Sequence, residues 1–146
     1  MASTVAKNVA EKGLSSVAIV GMGYVGLPTA LGLHAGGINV LGIDHDSQRL
    51  GAIEKGDVDL IDLDHRRLEK SLTQGGFELT SDAARLAEAD AVVVCVPTPV
   101  DRYLMPDLTP LRSACDTLVE HARPGQTLIL TSTSFVGTTA RLLVEP

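Results

Sequence analysis

Three glycines, Gly21, Gly23 and Gly26, stand at the spacing G-x-G-x-x-G inside GMGYVGLP, residues 21–28. An acid, Asp44, closes the apolar run NVLGID about 20 residues further on. At that spacing the first glycine permits a tight turn. The second lets a bulky anion reach the main chain, and the third lets a helix pack closely on a strand. A helix starting there directs free N–H groups and a partial positive charge at the anion. A carboxylate at Asp44 can accept hydrogen bonds from a ribose diol. It would also repel a phosphate on the 2′ position, and Asp46 adds a second negative charge. Arg49 is the nearest cation, one turn into the next helix, where it can border an adenosine or simply meet solvent. A turn built for packing alone is the alternative reading. Strand, turn, helix, strand and acid occurring in order favour a dinucleotide site, for NAD rather than NADP.

Two later loops carry hydroxyl groups. In CVPTPVDRYLMPD, two X-Pro bonds hold the chain extended around Thr98. This offers a preset hydroxyl, although an ordinary proline-rich loop would look the same. The rest of that loop, VDRYLMPD, reads as a flap. In TSTSFVGTT, Thr133 is the best-placed hydroxyl, although small hydroxyl residues at a strand–helix junction also serve as caps.

The elements that must position these residues alternate along the chain. Strands are expected at 17–21, 39–44, 77–81, 91–96 and 127–132. Helices are expected at about 25–35, 46–55, 65–73, 82–88 and 110–122, with a further one beginning near 137. The near-continuous apolar runs of the first, fourth and fifth strands suit a parallel sheet covered on both faces. Asp64 is expected to cap its helix, and Thr109 to cap another with Pro110 at its first position. The fold class is therefore α/β, a Rossmann-type doubly wound, mainly parallel sheet with helices on both faces. The fourth strand should lie beside the first, bringing the Thr98 loop opposite the glycine turn. Residues 1–16 read as a flexible tail and 17–146 as the domain.

Composition narrows the function classes. The 146 residues are 45% hydrophobic but only 3% aromatic, without Trp, so the core must be aliphatic. A net charge of −6 with no Lys/Arg cluster argues against nucleic-acid and anionic-membrane surfaces. No apolar run approaches the roughly 20 residues that span a bilayer, and the N-terminus lacks a secretory apolar stretch. Cys95 and Cys115 sit on apolar faces and read as small buried hydrophobes, Cys115 beside Leu111, Leu118 and Ala122. No spacing suggests a metal. A cytoplasmic, reducing setting is expected.

GMGYVGLP with Asp44, then VPTP, then STSFVGTT resemble, in that order, the N-terminal domain of the UDP-glucose/GDP-mannose dehydrogenase family, over residues 17–146. The resemblance implies oxidation of the C6 alcohol of a sugar nucleotide to a carboxylate in two steps, reducing two NAD. It places Tyr24 and Val25 at the cofactor pyrophosphate, Asp44 at the adenosine ribose and Arg49 on the adenosine side. Thr98 and Thr133 fall near the cofactor and the reacting end, Thr133 as an accessory catalytic group. Where the UDP-glucose branch has a YEPGL-like stretch, this chain reads GDVDLIDLDHRRL, which resembles the branch acting on UDP-N-acetylhexosamines. The family's catalytic Cys, its Lys and most sugar contacts would lie beyond residue 146. The resemblance thus implies a truncated, incomplete enzyme that meets its UDP-sugar only with the C-terminal half, and a homodimer for the full-length form. Two other readings of the same motifs are a non-catalytic NAD-binding module and a Rossmann dehydrogenase of the 3-hydroxyacid type.

Overall fold

The computed structural model describes residues 13–100, 102, 103 and 105–144. Among them five strands form one parallel sheet in the order β3-β2-β1-β4-β5. These are β1 (Ser16–Val20), β2 (Asn39–Ile43), β3 (Phe77–Thr80), β4 (Ala91–Val94) and β5 (Thr127–Leu130). The helices are α1 (Gly26–Ala35), α2 (Ser47–Glu54), α3 (Asp62–Thr73) and α4 (Thr109–His121). A 3-10 helix spans Ala83–Glu88 and a π-helical turn spans Ala140–Val144. The α/β, doubly wound expectation holds. β1 pairs with β2 on one side and β4 on the other, so the chain reverses its winding between β1 and β4.

The central strands explain the apolar runs. All four residues of β4 have no exposed surface, nor do Val17, Ala18 and Ile19 of β1. Each fully buried valine of this kind contributes about 1.5–3 kcal/mol. Side chains alternate between two cores. Val17, Ile19, Ala91 and Val93 face one with Leu27, Leu31, Ile53 and Leu68 of the first three helices. Ala18, Val92 and Val94 face the other with Leu111, Cys115 and Leu118 of α4. At their C-terminal ends α1 and α3 are joined by His34, whose Nδ1 lies 2.8 Å from the buried Ser71 hydroxyl. β5 differs from the expected covered strand, since all four of its residues are only half-buried at the sheet's edge.

Several boundaries differ from the sequence expectation. β1 begins at Ser16, Leu14 packs against the first core, and Ser15 and Ser16 hydrogen-bond to Asp90. Order therefore begins earlier than a tail over 1–16 allows, and residues 1–12 lie outside the described residues. Asp64 does not cap α3: Ile61 occupies the cap, and Asp64 lies buried in the first turn, paired with Arg67 at 2.9 Å. Thr109 is the first residue of α4 rather than its cap, and its N–H donates to the Asp107 carboxylate at 2.9 Å. Cys95 stands one residue beyond β4. The helix expected from near 137 is helical at 138–139 and continues as the π-helical turn Ala140–Val144, in which Leu142 and Leu143 are both half-buried against the second core.

Candidate functional site

The glycine turn joins β1 to α1 at the carboxyl edge of the sheet. Gly21 has φ +95°, and a Cβ there would lie 2.9 Å from the carbonyl oxygen of Cys95. A Cβ on Gly26 would overlap the Gly21 carbonyl oxygen and approach the Cys95 Cβ at 3.3 Å. Both glycines are therefore demanded by the packing of the turn on the end of β4. Gly23 is different. A Cβ there meets nothing closer than Arg49 Nη2, at 3.9 Å, and its φ lies outside the left-handed region. The fold does not require a glycine at that position.

Beyond the turn, α1 begins at Gly26; Val25, at its cap position, supplies no side-chain cap, and the first turn holds no acid. Leu27 N already donates to Gly23 O and Thr29 N to Val25 O, both at 3.1 Å, and Pro28 has no N–H, so what the helix start offers an incoming anion is chiefly its positive end. Tyr24 is 84% exposed and Val25 57% exposed, so neither side chain packs in a core. Met22, between the glycines, is fully buried and lies over the bare Cα of Gly42.

Asp44 follows β2 and is only 8% exposed. Its Oδ2 accepts from Met22 N at 2.8 Å and its Oδ1 from Asp46 N at 3.0 Å. These bonds fix the carboxylate against the glycine turn and leave lone pairs on both oxygens. His45 Nδ1 stands 3.5 Å from Oδ1, with its ring in solvent. Asp46 caps α2, accepting from Gln48 N and Arg49 N. That role was missed in the sequence, although an acid immediately before SQRL is a recognisable cap signal. Arg49, in the first turn of α2, reaches back to Gly23, so Asp44 and Arg49 converge on the turn from the β2 side.

The other two loops flank the turn from the β4 side. Thr98 is half-buried, four residues beyond β4. The segment after it is closed at its neck, where Val100 bridges Pro106 and Asp107 N donates to Pro99 O at 2.7 Å. At the end of β5 the hydroxyls divide. Thr131 Oγ1 donates to Val94 O at 2.9 Å, and Ser132 Oγ donates to Val96 O at 2.7 Å. Both tie β5 to the end of β4, a use that TSTS does not reveal in sequence. Thr133, the next hydroxyl, is exposed. The same edge thus carries Gly21, Gly23, Tyr24, Val25, Gly26, Asp44, Arg49, Thr98 and Thr133.

Two clefts lie elsewhere. One of about 270 Å³ opens at the amino end of the sheet beside Ser16, Asn39, Glu78, Arg85 and Glu88. The other, about 300 Å³, lies beside Leu108, Arg112, Phe135, Val136 and Arg141. Both cysteines are free and buried. Burial raises each thiol above its ordinary value, an effect reinforced at Cys115 by Asp116. Among the described residues no cluster of His, Cys, Asp and Glu could hold a metal, and no helix is long and apolar enough to cross a membrane.

Three glycines running into the start of a helix, with a pinned acid beside them, fit a dinucleotide, and known proteins agree. Residues 15–145 match the family model of the UDP-glucose/GDP-mannose dehydrogenase family, NAD binding domain. Over 128 residues the chain is 32% identical to UDP-N-acetyl-D-mannosamine dehydrogenase of Escherichia coli K12, covering 88% of this chain and 30% of that protein. It superimposes on a UDP-D-ManNAc dehydrogenase from Pyrococcus horikoshii with a TM-score of 0.80 at 33% identity, covering 87% of this chain and 30% of that one. For a GDP-mannose dehydrogenase from Pseudomonas aeruginosa, in a ternary complex, the TM-score is 0.81 at 25% identity, covering 88% and 31%. The chain thus spans about 30% of the length of these relatives. It belongs to the UDP-glucose/GDP-mannose dehydrogenase family, whose NAD-binding domain it forms.

Proposed function

We propose that this chain is the cofactor-binding part of a dehydrogenase that oxidises the C6 alcohol of a UDP-sugar to the carboxylate. A UDP-N-acetylhexosamine is favoured over UDP-glucose. The GDVDLIDLDHRRL segment supports that preference, as do the names of two of the relatives above. The cofactor supplies the hydride acceptor. Gly21, Gly23 and Gly26 with the start of α1 receive its pyrophosphate, and Tyr24 and Val25 border it. Asp44 accepts from the adenosine ribose. Arg49 covers the adenosine side and, from its position over Gly23, also reaches toward the phosphates. Thr98 and Thr133 stand by the nicotinamide and the reacting end, Thr133 as the accessory catalytic group. The UDP-sugar is held only together with the remaining length of such an enzyme. The free cysteines support a cytoplasmic setting, and the family resemblance supports a homodimer for the longer protein.

The observation that carries this reading is Gly23. The fold makes no use of its missing side chain, whereas a pyrophosphate lying on the main chain does. Calorimetric titration tests it. NAD binds with detectable heat, and NADP binds about tenfold or more weakly because Asp44 and Asp46 face its 2′-phosphate. Asp44→Ala weakens NAD. A chain that takes NADP and refuses NAD overturns the role given to Asp44.

A further inference from the structure

Two of the three glycines rest on one residue outside the motif. Cys95 presents its carbonyl oxygen beneath Gly21 and its Cβ beneath Gly26. Its N–H donates to Val20 O at 2.8 Å, which fixes its main chain against β1. Its side chain is fixed from the other side, since Sγ lies 3.2 Å from Thr131 Oγ1. The proton in that contact can be assigned. Thr131 has one hydroxyl proton, and it goes to Val94 O at 2.9 Å. The Thr131 oxygen therefore accepts, and the Cys95 thiol donates. Thr131 thus gives the sulfur a fixed partner at the end of β5, while the Cys95 side chain packs in the core beneath α1.

That orientation matters because the start of α1 has no slack. A single added carbon at Gly26 would overlap Gly21 O. A sulfur released from Thr131 can rotate about the Cα–Cβ bond toward Gly26, where only displacement of the turn makes room. We propose that Thr131 is a positioning residue for the cofactor, acting through the Cys95 thiol to keep the glycine cradle in its binding geometry. The inference rests on the cofactor site proposed above, and Thr131 itself touches no cofactor.

A double-mutant cycle read by NAD calorimetry and thermal unfolding tests it. Thr131→Val removes the acceptor and keeps the shape, and weakens NAD about fivefold. Thr131→Ser keeps the hydroxyl and binds as the parent does. In a Cys95→Ala background there is no sulfur to misplace, so adding Thr131→Val leaves the NAD affinity unchanged. A Thr131 that served only to tie β5 to β4 would lower the unfolding temperature in both backgrounds without moving NAD affinity. That result, or a Thr131→Val penalty on NAD that persists in full with Cys95→Ala, overturns the proposal. If Thr131→Val does not fold, Thr131→Ala measured in both backgrounds decides by the same criterion. A parent chain that takes up no NAD overturns the cofactor reading and this inference with it.

Discussion

A methyl group at position 23 would stand in nearly open space, while one at position 26 would run into the Gly21 main chain. The motif therefore divides into two glycines that the fold needs and one that it does not, which is the one proposed to meet the ligand. Stability and binding should come apart accordingly. Gly23→Ala should leave stability within about 0.5 kcal/mol of the parent, as at other surface positions away from special features. Its added methyl stands where a pyrophosphate would approach, so NAD binding should fall about tenfold or more. Gly26→Ala should cost about 1–3 kcal/mol or more, because the turn and α1 must separate to admit the new atom. Chemical denaturation and NAD titration of the two variants check this. A Gly23→Ala chain that binds NAD like the parent would remove the main support for the cofactor reading. Asp44 is a second residue at which folding and function meet. It is held by two main-chain N–H groups, so Asp44→Ala leaves the Met22 donor without its acceptor as well as the ribose.

At the scale of elements, the sheet is fastened at its amino end by contacts with no motif. Asp90, just before β4, accepts at Oδ2 from the main-chain N–H groups and hydroxyls of Ser15 and Ser16, at 2.9–3.1 Å. Hydrogen bonds from Ser15, then Ser16, hold its carboxyl below the ordinary range against the opposing effect of burial. A carboxyl whose folded value is depressed contributes its stability above the unfolded value, near 3.9, and loses it as pH falls through the folded value. Asp90→Ala should therefore destabilise by about 1 kcal/mol near neutral pH, a modest figure because the group is a third exposed. The deficit should shrink at acid pH, and equal deficits at pH 3 and pH 7 would disprove this role. Nearby, Arg123 and Gln126 donate to the carbonyls of Leu86, Ala87 and Ala89 and so satisfy the end of the 3-10 helix. The strands, the glycine turn and Asp44 were legible because periodicity and spacing are local properties. The bonds made by Asp90, Gln126, Thr131 and Ser132 were not, because each joins residues more than 30 positions apart. The caps failed for a related reason: Asp64 had a better use in a buried pair with Arg67, and Asp107 reached Thr109 first.

Seen whole, the described chain brings the residues proposed for the cofactor to one end of the molecule. Those residues line one edge of a parallel sheet, and β1, β2 and β4, which lead to most of them, carry much of the core, whereas β5, which leads to Thr133, is half-buried. The oxidation proposed for the longer enzyme needs a thiolate that attacks the sugar's C6 aldehyde, so that a second hydride can leave from the resulting adduct. Neither thiol here suits that work. Cys115 is fully buried within α4, against the second core. Cys95 lies beneath the glycine turn with its proton directed to Thr131. Burial pushes both thiols above their ordinary values, which disfavours the nucleophilic form. The chain on its own should bind NAD and produce no NADH from UDP-glucose, UDP-N-acetylglucosamine or UDP-N-acetylmannosamine, followed by absorbance at 340 nm over hours. Cys95→Ser and Cys115→Ser should leave that blank unchanged. NADH formation that either substitution abolishes would identify a working thiol inside this domain and overturn the assignment of both cysteines to packing.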